Sequence, residues 1–189
     1  MKQQVEWNIK ANIAKLMPNE DTQYNWPSLC NLIEKLKPES GKADVGGIIR
    51  DEDGNCIMAY AMSIDCDSHN MAEALAAEFG GKWCNQLGFT NFVLELDSNI
   101  IVNMVNQEGN KNRKLKMVAD RVTRWVQEAN ATAQHYYREG NQVADALAKI
   151  ASISGTRMIY QSFEQLPKEA KGPFMMDKWQ MPSIRTKNY

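Results

Sequence analysis

Phe92-Val93-Leu94-Glu95-Leu96-Asp97-Ser98 decides how this chain folds. Its apolar residues run together with little alternation, the pattern of a strand covered on both faces, and such a strand belongs to a sheet flanked by helices. Upstream, Val45 to Arg50 and Cys56 to Met62 are β-rich runs joined by Asp51-Glu52-Asp53-Gly54-Asn55. Acidic residues followed by Gly-Asn predict a hairpin there, since Gly54 and Asn55 tolerate the positive φ of a tight turn. Between hairpin and covered strand, an Ala- and Leu-rich stretch from about Asn70 to Gln86 reads as a helix ended near Gly88. Beyond the covered strand, Ile100 to Asn106 reads as a helix. A longer helix carries the stripe Leu115, Val118, Val122, Trp125 and Val126. Ala131 to Tyr137 reads as a strand, and Asn141 to Ile153 as a helix with Val143, Leu147 and Ile150 on one face. Two strands, a helix, a strand, two helices, a strand and a helix make a mixed α/β layout.

The flanks read differently. Val5, Ile9, Ile13 and Leu16 recur at spacings of four and three before Pro18, and Leu29, Leu32, Ile33 and Leu36 do so between Trp26-Pro27-Ser28 and Pro38. Two short amphipathic helices are expected, Ser28 capping the second. Residues 1–40 are thus an N-terminal helical segment and linker, and 41–155 the main domain. The tail 156–189 has scattered aromatics and prolines without sustained period, and is expected to be extended and only partly ordered.

At 189 residues, 43% hydrophobic and 24% charged, the composition is that of a globular protein of one domain with an extension. The net charge of −1 creates no global field for a polyanion, so any nucleic-acid contact must come from a local patch. Neither a spanning apolar helix nor a secretory signal is read, so no membrane partner is expected. An intracellular protein is, with nucleus and cytoplasm both open. Cys30, Cys56, Cys66 and Cys84 lack ligand spacing and are expected as free thiols in a reducing compartment.

Three acids sit where an α/β sheet presents its functional edge: Glu73 in the first turn of the Ala-rich helix, Asp97 at the end of the covered strand, and Asp145 in the first turn of the last helix. Carboxylates at strand ends and helix N-termini can gather around a hard divalent cation. Taken singly, the same positions suit helix dipoles and caps. The words around them decide. Gly46-Gly47-Ile48-Ile49-Arg50-Asp51, Gly54-Asn55, Asn70-Met71-Ala72-Glu73-Ala74, Leu94-Glu95-Leu96-Asp97-Ser98 and His135 through Asp145 occur in that order. Together they resemble a plant-type, retroelement-derived ribonuclease H type 1 domain over about residues 41–155, hence a ribonuclease H-like mixed sheet with flanking helices.

The resemblance implies hydrolysis of the RNA strand of RNA–DNA hybrids by two Mg²⁺ ions held by four carboxylates. Glu73, Asp97 and Asp145 match the second, third and fourth of these metal ligands. His135 matches the mobile histidine that assists proton transfer or product departure. Ser68, His69 and Asn70 match residues that touch hybrid sugars and phosphates, as does Asn99; His69 stands where the family usually has Asn. In that chemistry one ion lowers the pKa of a bound water while the other stabilises the departing 3′ oxygen.

The family's first carboxylate is missing. It belongs to a first strand, central in the sheet, in an Asp-Gly word shortly before Gly46-Gly47, and no Asp-Gly occurs there. Glu34 lies near the expected distance but in a run of helical period flanked by Pro27 and Pro38. The first strand is therefore expected to be missing or replaced, its gap filled by residues 29–36, a strand-swapped partner or a rearranged sheet. Magnesium binding is expected to be weakened and hydrolysis weak or lost. Lys111, Arg113, Lys114, Lys116, Arg121 and Arg124, against Asp120 alone, make a patch that suits either phosphates or a solvated helix face, while Trp125 fits the core stripe. Two functions remain: a hybrid nuclease, or a silent remnant that binds nucleic acid or a protein partner.

Overall fold

The computed structural model describes residues 3–10, 42–66, 68–106, 113–136 and 141–179. The hairpin forms as its sequence requires: β2 (Lys42–Arg50) pairs antiparallel with β3 (Cys56–Asp65), and the turn closes through Asp51 and Asn55 with Gly54 at φ 74°. Helix α1 (His69–Gln86) follows, then the covered strand β4 (Val93–Leu96), α2 (Asn99–Val105), α3 (Arg113–Glu128), β5 (Thr132–His135) and α4 (Gln142–Ser154). These elements agree with the sequence reading to within a few residues.

Two flanking segments do not. Gln3–Lys10 is a strand, β1, where the spacing of Val5 and Ile9 predicted a helix. The physical reason is in the segment itself: Val5, Trp7 and Ile9 alternate with Glu6, Asn8 and Lys10, a period of two that Val5 and Ile9 alone cannot distinguish from a helical step of four. The rest of the predicted N-terminal pair, including Ile13, Leu16 and residues 29–36, lies outside the described residues. The C-terminal tail is folded through Trp179, contrary to the extended segment expected. β6 (Met158–Tyr160) pairs with β3, and α5 (Lys168–Lys178) packs beside α4.

Among the described residues six strands form one sheet in the order β5-β4-β1-β2-β3-β6. The central position that lacked a recognisable strand is filled from the N-terminus. β1 runs parallel to β2 and antiparallel to β4, with Glu6 opposite Gly46 and Trp7 opposite Leu96. A parallel neighbour needs a crossover of about a dozen residues or more, and the intervening 11–41 is ample.

Each face of the sheet has its own core. On one, Val45, Ile49, Tyr60 and Leu94 pack under α1, α2 and α3; on the other, Ile48, Ala59 and Ala61 pack under α4 and α5 with Leu147, Leu166 and Phe174. Gly46 sets the height of α4. A Cβ at this position would lie 2.3 Å from the Ala144 carbonyl oxygen and 2.6 Å from the Ala148 nitrogen, so only glycine admits the helix this close. On the opposite face the Tyr60 hydroxyl donates to the Ala76 carbonyl at 3.3 Å, and its ring meets Phe79 edge-on at 4.6 Å. Burial raises the Tyr60 pKa well above its ordinary value.

Two ion-pair clusters tie the layers. Glu78 of α1 takes a bidentate pair from Arg121 of α3 at 2.8 Å on both arms, with Lys82 at 3.0 Å. Arg50, buried at the end of β2, pairs with Asp177 of α5 at 2.7 Å and stacks on the Phe174 ring at 4.5 Å. Among the described residues no helix is long and apolar enough to cross a membrane.

Candidate active site

The parallel pairing of β4 and β5 places Leu96 beside His135, so the residue after β4, Asp97, meets the histidine. His135 Nε2 lies 3.2 Å from the Asp97 carbonyl oxygen. Asp97 is half-buried, and among the described residues its Oδ1 is enclosed without a hydrogen-bond partner. Its side chain does not cap α2: Ser98 does, its Oγ accepting from the Ile101 N–H at 3.4 Å. The structure thus removes the cap as an explanation for this acid.

Ser68 caps α1, accepting from the Met71 N–H at 3.2 Å, and the helix therefore starts at His69. Glu73 falls just beyond the first turn, not within it as expected, and its side chain is wholly buried. One turn before it, His69 is half exposed, with Nε2 at 3.8 Å from Glu73 Oε1. Asp145 does lie in the first turn of its helix, above the Gly46 row, and Lys149 one turn on makes an ion pair with it. Its N–H donates to the Asn141 carbonyl at 3.1 Å. Asn141, which sequence reading passed over, is buried, its Oδ1 without a hydrogen-bond partner among the described residues; its place four residues ahead of Asp145 was the available signal. Ser68 and Asn99 are exposed and Asn70 partly so.

The donor types suit a hard divalent ion. α1 and α4 pack on opposite faces of the sheet, so Glu73 and Asp145 approach from opposite sides of the strands. Among the described residues, no three His, Cys, Asp or Glu side chains stand close enough to hold one metal ion.

The basic patch is partly consumed within the fold. Arg121 is committed to Glu78, and Lys116 pairs with Asp120 at 2.7 Å; Arg113, Lys114 and Arg124 are exposed. Lys111 lies outside the described residues. Trp125 is half-buried against Gly81 of α1, a packing residue as its stripe predicted. Among the described residues Cys56, Cys66 and Cys84 form no disulfide, and burial pushes the Cys56 thiol up to about 11.

The sequence model of the reverse transcriptase-like family matches residues 35–151, more than half of the chain. The chain belongs to the reverse transcriptase-like family. Its fold is ribonuclease H-like. The crystal structure of RNase H1 from the halophilic archaeon Halobacterium salinarum NRC-1 is similar in fold, with a TM-score of 0.57 at 19% identity, over 78% of this chain and 97% of that one. No curated protein matches the sequence.

Proposed function

We propose that this ribonuclease H-like domain engages RNA–DNA hybrids, the family's substrate class, and hydrolyses them weakly or not at all. The single observation that carries this reading is that, among the described residues, no three His, Cys, Asp or Glu side chains come together to hold an ion, while Lys149 pairs with Asp145. Hydrolysis by this fold needs charge stabilisation at the departing oxygen, which an assembled ion site would supply. Binding needs less. Exposed Ser68, His69 and Asn99 lie at the starts of α1 and α2, and exposed Arg113, Lys114 and Arg124 supply positive charge that follows phosphates without reading sequence. An electrophoretic shift with labelled hybrid, repeated over rising salt, tests it. Retention that weakens as salt rises, with intact RNA recovered, supports the reading; no retention at low salt, or rapid Mg²⁺-dependent cleavage, refutes it.

A second reading, a working nuclease, has one observation in its favour. β1 brings an acid from ahead of Gly41 into the sheet: Glu6 pairs with Gly46, and one step past the Trp7–Leu96 pair its register position faces Asp97. Under that reading, cleavage would be lost in Glu6→Gln as well as in Asp97→Asn. Glu34, the other upstream candidate, lies outside the described residues.

A further inference from the structure

We propose that residues 156–179 form a strap that opens and recloses as one unit while the rest of the domain stays folded, and so gates the β3 edge of the sheet. The family match ends at residue 151, and the chain beyond it builds a module of its own. β6 holds the β3 edge through the pairs Ala59–Tyr160, Tyr60–Ile159 and Ala61–Met158. The segment then closes the second core with Leu166, Ala170 and Phe174. At its far end Asp177 pairs with buried Arg50, Phe174 lies against the same guanidinium, and Lys178 hydrogen-bonds Asn55 in the hairpin turn.

The module is separable because its contacts lie almost wholly on one face. Of its residues only Ile159 packs against the larger core under α1, α2 and α3, so that core persists when the strap lifts. The joint to α4 is built to turn: residues 153–156 are all exposed, and Gly155 is left-handed at φ 64° with open space where a Cβ would stand. The module also holds together as one piece. Phe163, between β6 and α5, meets the Phe174 ring at 5.1 Å and couples the two elements. Opened, Ala59 to Ala61 present unpaired N–H and C=O groups along the outer edge of β3, and the apolar face of Ile48, Ala59 and Ala61 loses part of its cover. The proposal needs neither hybrid binding nor hydrolysis, so its failure is distinguishable from theirs.

Native-state hydrogen exchange of the full chain over rising, sub-denaturing urea tests it. The amides of β6 and α5 should share one opening, at least about tenfold more populated than that of α1 and β4 and with a shallower urea slope, because it exposes less surface. Two variants separate strap opening from global unfolding. Val122→Ala, in the larger core, should speed exchange in α1 and β4 but leave β6 and α5 unchanged at low urea. Asp177→Asn should speed β6 and α5 by one common factor of about ten or more, although α5 alone makes the ion pair. The proposal is overturned if β6 and α5 follow the urea slope of α1 and β4, if Val122→Ala speeds all four elements equally, or if Asp177→Asn speeds α5 without β6.

Discussion

Gly46→Ala is the substitution that most directly probes how α4, and Asp145 with it, is set on the sheet. The added Cβ would meet the Ala144 carbonyl oxygen at 2.3 Å, the Ala148 nitrogen at 2.6 Å and the Leu147 Cβ at 2.7 Å. All three belong to the helix backbone or its first side-chain atom, so no rotamer change relieves the clash. Restoring ordinary contact requires α4 to lift by about 1 Å, which would loosen its packing on Ile48, Ala59 and Ala61. Overpacking of this kind costs about 1–3 kcal/mol, and rigid neighbours place this site at the upper end. Replacing Gly by Ala within a strand returns about 0.5–1 kcal/mol of chain entropy, leaving a net loss of about 2 kcal/mol. For a domain of this size that is a fall in Tm of roughly 4–8 °C. Urea unfolding of wild type and variant measures it, with Gly172→Ala in α5, where a Cβ meets nothing within 4 Å, as a control expected to be neutral or slightly stabilising. A Gly46→Ala protein as stable as wild type to within about 0.5 kcal/mol would refute the packing argument.

Other expectations follow from the ion pairs and the buried tyrosine. Burial raises the Glu78 pKa, but hydrogen bonds and charge from Arg121 and Lys82 outweigh it and hold the carboxyl below its ordinary 4.5. The depressed folded pKa means that the pair's stabilisation is complete above pH 4.5 and is lost as pH falls through the folded value. Urea midpoints should therefore fall more steeply with acid in wild type than in Glu78→Gln, and parallel profiles would count against it. Tyr60→Phe keeps the ring on Phe79 but removes the bond to Ala76, and should cost about 1 kcal/mol; a loss above 3 kcal/mol would show that packing was disturbed instead. Asp177→Ala leaves Arg50 buried without its ion pair and should cost about 3 kcal/mol or more, while the paired change Arg50→Met with Asp177→Ala should recover part of it in the same assay.

Much of the sheet was legible because its pattern is unambiguous. β4 announces itself by unbroken apolar residues, the β2–β3 hairpin by its turn, and α3 and α4 by stripes that are in fact buried, Val118, Val122 and Val126 on one and Val143 and Leu147 on the other. β1 was not, because Val5 and Ile9 satisfy two periods at once and only Trp7 between them separates strand from helix. α5 was hidden by Gly172 and Pro173 in its interior, which mask the i, i+4 pair Ala170 and Phe174 that it buries. At the candidate site, each acid could be picked out from its neighbouring residues. The faces from which they approach could not, since these depend on which side of the sheet each helix covers, and nothing local to Glu73 or Asp145 encodes that.

The most direct test is the ratio of hybrid-cleavage rates of wild type and Asp97→Asn in Mg²⁺, measured with protein in excess over labelled RNA–DNA hybrid. The proposed weak or absent hydrolysis predicts a ratio close to one. A ratio of about a hundred or more, the usual cost of removing a central electrostatic group, would show that Asp97 works in an assembled site and would contradict the account.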